Sequence, residues 1–93
     1  MNKKDRKIIN VYARLESEAL SVLSNKRYNH LEVEERLDLY ASRRERTKFI
    51  EEQNPHLSLQ FSHLREHYEL EGNTLAHKLI DKSLNAALHR HGR

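Results

Sequence analysis

Residues 54–74 read NPHLSLQFSHLREHYELEGNT, and the number of helices in the chain depends on where this stretch begins and ends. Asn54 and Pro55 suit the N-cap and first position of a helix, because proline has no N–H to lose there and its φ is already helical. Leu57, Phe61, Leu64 and Tyr68 follow at steps of four, three and four, which keeps them on one helical face. Gly72 then suits the position just past a helix end, with Asn73 or Thr74 capping what comes next. The stretch predicts a third helix over 55–71 and a fourth over 74–91. The apolar side of that fourth helix is Leu75, Leu79, Ile80, Leu84, Ala87 and Leu88, and Gly92 closes it. His89, Arg90 and His91 suit its C-terminal end, where cations meet the partial negative charge of the helix dipole.

Working back toward the N-terminus, Ile8, Tyr12, Leu15, Ala19 and Val22 also step by four and three, and Leu20 and Leu23 widen the stripe. They predict a helix over 5–24. Asn29, with Glu32 three residues on, reads as a capping box that opens a second helix over 30–53. Its stripe is Leu37, Tyr40, Ala41, Phe49 and Ile50. At about 1.5 Å per residue that helix is about 35 Å long and outruns the third, which leaves part of it to be covered by another molecule. No alternating β-branched run suggests a strand. The expected fold is a single all-α domain over 1–93, a small antiparallel bundle of about four helices in two hairpins. Dimerisation is the expected way to complete its core.

Composition supports that expectation. Of the 93 residues 37% are hydrophobic, against about 45–50% in an average globular domain, and 33% are charged. A chain of this size buries only part of its surface on folding, so a partner or a second copy is expected to supply more. There is no cysteine, which rules out a disulfide framework and a thiolate metal site. Met1–Lys7 is charged with no apolar run behind it, unlike a secretory signal. No stretch approaches the roughly 18 apolar residues of a membrane span. A cytoplasmic address without membrane contact is expected. Net charge is +3, with seven histidines and a pI near 9.3.

Three groups of residues carry candidate chemistry. His63-Leu64-Arg65-Glu66-His67 matches H-x-x-E-H, the inverted zinc-protease signature, in which two histidines one turn apart hold zinc beside a glutamate base. Enzymes with that motif build a large cleft around the metal, for which this chain is too small. His56, His63 and His67 fall on one flanking row, expected to pack and hydrogen-bond, so no metal, cofactor or catalytic residue is assigned. Arg43, Arg44, Arg46 and Lys48, against the single Glu45, form the densest cationic stretch and are the candidate contacts to an anionic partner such as nucleic-acid phosphate. Lys3, Lys4, Arg6 and Lys7, together with Lys26 and Arg27, extend that surface if folding brings them to it. Tyr40, Phe49, Phe61 and Tyr68 are the candidate interface anchors, since aromatic side chains often dominate binding energy.

No phosphate-binding glycine loop or nucleophile elbow occurs, since the only glycines are Gly72 and Gly92. The expected function is a non-enzymatic helical interaction module with no small-molecule substrate. It would act as an adaptor, chaperone or regulator of another macromolecule, as a homodimer or on a protein partner. A nucleic-acid-binding regulator using Arg43–Lys48 is the alternative.

Overall fold

The computed structural model describes residues 1–91, and all of its regular structure is helical. Three long helices, not four, make the fold: α1 (Lys3–Ser24), α2 (Val33–Gln53) and α3 (Ser58–His91). Single 3₁₀ turns, Lys26–Tyr28 and Pro55–Leu57, join them. The expected stop at Gly92, and the side chains of Arg90 and His91, lie outside what is described.

The first helix forms as its stripe predicts. Asn2 caps it, its side chain accepting from the Asp5 N–H at 2.8 Å. Tyr12, Ala19, Leu20, Val22 and Leu23 are buried along it. The second helix starts later than expected. Its N-cap is Glu32, whose N–H donates to the Glu35 carboxylate at 3.2 Å, so the cap sits three residues beyond the Asn29 position. Asn29 is instead occupied with Arg36. At the other end the Asn54 side chain donates to the Ile50 carbonyl at 3.0 Å, and Pro55 begins the turn into α3.

The expected helices over 55–71 and 74–91 are one helix of 34 residues. Gly72 lies inside it with no positive φ, so it terminates nothing. Its missing side chain makes room for a neighbour: a Cβ at Gly72 would meet the Tyr40 ring carbon Cζ at 2.9 Å, with the hydroxyl nearer still. Thr74 likewise continues the helix, its hydroxyl donating back to the Leu70 carbonyl at 3.0 Å. A helical glycine costs about 1 kcal/mol relative to alanine, which close packing against α2 and α1 offsets.

Helix α2 runs antiparallel to α1, and α3 returns parallel to α1. Tyr12 meets Glu51 and Phe61, while Ser17 meets Tyr68. At one end Tyr12, Leu57 and Phe61 form an apolar core, with Ile8, Ile9, Ile50 and Leu64 packed on it. The Tyr12 and Phe61 rings lie 4.6 Å apart between centroids, tilted by 31°. The molecule measures 61 × 20 × 18 Å, longer than the about 33 Å that a 22-residue helix spans. The excess comes from α3, so the longest helix is the third and not the second. Among the described residues no helix is long and apolar enough to cross a membrane.

Candidate interaction surface

The inner face of α2 is polar. Arg36, Tyr40, Arg44, Thr47 and Glu51 step by four, four, three and four, so they face the bundle together. Ala41 and Phe49, expected on the buried stripe, are exposed. Arg36 is buried and donates from Nε to the Val22 carbonyl at 2.9 Å, and from its terminal nitrogens to the Asn25 carbonyl at 3.4 Å and the Asn29 side chain at 3.3 Å. The Val22 acceptor is one of the last carbonyls of α1, which no intrahelical N–H can reach. A cation there also meets the negative end of the helix dipole.

This polar face decides where the expected cationic cluster goes. Arg43 is half-buried, donates to the Tyr28 hydroxyl at 3.2 Å and lies over the Tyr28 ring at 5.6 Å. Arg44 reaches the buried Glu16 at 3.5 Å and Glu69 of α3 at 3.2 Å, with Tyr40 beneath it at 5.9 Å. Burial works to lower the Arg44 pKa, but Glu16, Tyr40 and Glu69 outweigh it, so the guanidinium is held charged more firmly than in solution. Only Arg46 and Lys48 are exposed. The four cations are not one surface, because two of them hold the helices together.

A second polar junction links all three helices. The Tyr12 hydroxyl donates to Glu51 at 3.1 Å, and Arg65 of α3 pairs with the same carboxylate. Burial, followed by the nearby Glu51 and Glu16 charges, pushes the Tyr12 phenol well above its usual range. Burial also raises the Tyr40 phenol, against the opposing pull of Arg44. Among the described residues every buried side-chain nitrogen or oxygen has a hydrogen-bond partner.

The expected aromatic anchors are dispersed. Phe61 is fully buried in the chain's own core, Tyr40 lies over Gly72 inside the bundle, and Tyr68 is half-buried at the α1–α3 seam. Only Phe49, 62% exposed, stands free on the outside of α2. The basic residues near the N-terminus also separate. Lys3, Lys4, Arg6 and Lys7 are exposed on α1 at the end where α2 finishes and Arg14 is exposed midway along it, while Lys26 and Arg27 sit at the opposite end. His56, His63 and His67 are exposed; His56 pairs with Asp5 at 3.0 Å and His67 lies 3.7 Å from Glu71. Among the described residues no three histidine, aspartate or glutamate side chains gather as a metal would need.

Leu84 and Leu88, expected on the apolar side of a fourth helix with Leu75 and Leu79, are instead exposed on the opposite side of α3. Leu59, Leu70, Leu84 and Leu88 of α3 are 66%, 70%, 57% and 68% exposed. At about 100° per residue they fall within about 40° of one another, on the side of α3 away from Phe61, Gly72, Leu75 and Leu79. Merging the two expected helices into one is what aligns these leucines. No protein-family model, curated protein or solved structure matches the chain.

Proposed function

We propose that the protein is a small non-enzymatic helical interaction module whose working surface is the outer face of α3. The leucine stripe carries this reading. A chain that has only a modest apolar fraction leaves four leucines exposed along one side of a single helix. Exposed leucines aligned on one helix face, with His63, Glu66, Asn73, His77 and Asp81 between them, suit a docking surface of mixed polarity.

Leu70→Glu combined with Leu84→Glu tests this, since neither side chain is part of the buried core. In clarified cell extract the tagged wild-type chain should migrate as a complex larger than its 11.1 kDa monomer. The double variant should migrate as the monomer with unchanged helicity. Identical migration of the two would remove the α3 face from the account.

A second reading keeps the anionic partner but moves its contacts. Lys3, Lys4, Arg6, Lys7 and Arg14 oppose only Asp5 in the first fourteen residues, on the half of the bundle that also carries the exposed Arg46 and Lys48. Duplex DNA binding through this end should weaken steeply between about 50 and 200 mM salt. Lys3→Ala with Lys7→Ala should flatten the salt slope by about two, as read by fluorescence anisotropy of a labelled duplex. No binding at the lower salt would dismiss it.

A further inference from the structure

We propose that the groove between α3 and the connection from α1 to α2 is a docking site for an acidic amphipathic segment of a protein partner. The groove lies on the inner side of α3, away from the exposed leucines, at the end of the bundle where α1 finishes. Two adjoining hollows of about 270 and 280 Å³ form it, and they share Asn29, Arg36, Leu79 and Lys82. Its apolar lining includes Leu31 and Val33 at the start of α2 and Leu75 and Leu79 of α3. Three lysines line it as well: Lys26 of the turn after α1, and Lys78 and Lys82, one turn apart on α3. Among the described residues no aspartate or glutamate lines it.

Charge in this groove is left uncompensated. Arg36 is only 6% exposed, and its three hydrogen bonds all go to neutral oxygens: the Val22 and Asn25 carbonyls and the Asn29 side chain. A buried charge is ordinarily met by an opposite one. Two turns further along α2, Arg44 has Glu16 and Glu69. Among the described residues no carboxylate pairs with Arg36, Lys26, Lys78 or Lys82. The acidic residues nearby are engaged elsewhere. Glu71 lines the neighbouring hollow between α1 and α3 and lies 3.7 Å from His67, while Glu32 and Glu35 close the α2 cap on each other. The carbonyl end of α1 supplies only about half a negative charge, against four positive ones.

The apolar lining chooses between an acidic protein segment and a nucleic acid. A phosphate backbone would meet the lysines but leave the half-buried Leu31, Leu75 and Leu79 in water. An amphipathic helix satisfies both, with apolar residues one turn apart laid into the groove and carboxylates turned to the lysines. From Leu75 to Ala86 the groove follows α3 for about 16 Å, about three helical turns. Each hollow is smaller than the about 300–1,000 Å³ of a cleft that encloses a small ligand. It therefore suits single side chains of a segment lying along it. Complementary charge of this kind sets which partner is accepted and how fast it arrives.

The test is an NMR titration of the isotope-labelled full chain with a soluble helical peptide of leucine and glutamate, patterned as an amphipathic helix. Saturable amide shifts should be confined to 23–36 and 75–86. The same peptide with glutamine in place of glutamate should bind about tenfold more weakly or worse. So should the acidic peptide on Lys78→Glu combined with Lys82→Glu, whose helicity is checked by circular dichroism; both side chains are exposed. No shifts in the groove, or an affinity unmoved by the charge reversal, would overturn the proposal. A duplex oligonucleotide that binds the same amides more tightly than the peptide would overturn it in favour of nucleic acid. Leu70→Glu with Leu84→Glu should bind the peptide as the wild type does, since neither leucine lines the groove. Loss of binding in that variant alone would put the peptide on the outer face of α3 and overturn the groove assignment, leaving the interaction-module reading in place.

Discussion

Gly72 shows how one residue can be read two ways. Glycine ends helices because it tolerates left-handed backbone, and it permits close approach because it has no Cβ. Here the second property is used, with Tyr40 seated on it. In an unconstrained helix Gly→Ala would stabilise by about 0.5–1 kcal/mol. At this position the added methyl meets a stiff ring and should destabilise the fold by about 1–3 kcal/mol, measured by urea unfolding. In a Tyr40→Ala background the same change should lose its penalty, because the obstructing ring is gone; a stabilising Gly72→Ala in the wild-type background would contradict the packing account.

Tyr12 gives a pH dependence of definite sign. An unfolded tyrosine ionises near pH 10, and in the folded chain burial and Glu51 hold the phenol neutral to higher pH. The stability gained from that shift is fully present below about pH 10 and is lost as pH rises through the folded value. Tyr40 adds a shift in the same direction. Thermal midpoints followed from about pH 8 to 11 should therefore fall at the alkaline end, and less steeply for Tyr12→Phe. That variant keeps the ring on Phe61 but loses the hydroxyl. Equal slopes for the two proteins would remove Tyr12 as the cause.

At the scale of the helices, α1 was legible because its buried face is apolar and its period is plain. Helix α2 was less so. Its buried face is built from Arg36, Tyr40, Arg44, Thr47 and Glu51, which hydropathy assigns to solvent, while the exposed Phe49 resembles core. The cationic cluster was visible as a cluster, but whether its arginines pointed inward depended on Glu16 and Glu69, residues 28 and 25 positions away in sequence. The length of α3 was missed for the reason given by Gly72, and the outer leucine stripe was missed with it.

Arg36 offers the sharpest test of the polar seam. Removing its guanidinium leaves the Val22 and Asn25 carbonyls without their side-chain donor at the end of α1. Arg36→Ala should cost about 1–3 kcal/mol, the range for leaving buried hydrogen-bond partners unsatisfied. The first amides to exchange faster should be those of the last turn of α1 and of 25–32. Arg36→Lys should recover little, since an ammonium cannot reproduce the forked geometry. Unchanged protection at the end of α1 would show that Arg36 contributes packing alone.

At the scale of the molecule, two hydrophobic provinces have different fates. Tyr12, Leu57 and Phe61 close one end of the bundle, so Phe61→Ala should unfold the chain, with a cost of about 3–5 kcal/mol. Leu70, Leu84 and Leu88 contribute to no such core and are exposed. Charge is divided as well: exposed lysines and arginines of α1 gather where α2 ends, and Glu32, Glu34, Glu35 and Asp38 gather where it begins. The inner contacts therefore fix the three-helix fold, and the leucines on the outer face of α3 stay exposed.

Amide hydrogen exchange across 80–89, measured on the purified protein over a wide range of concentrations, tests that division most directly. The account predicts that these amides are slow at high concentration and quicken on dilution, while those around Tyr12 and Phe61 keep the same rates. Exchange at 80–89 that is independent of concentration would contradict completion of the core by dimerisation.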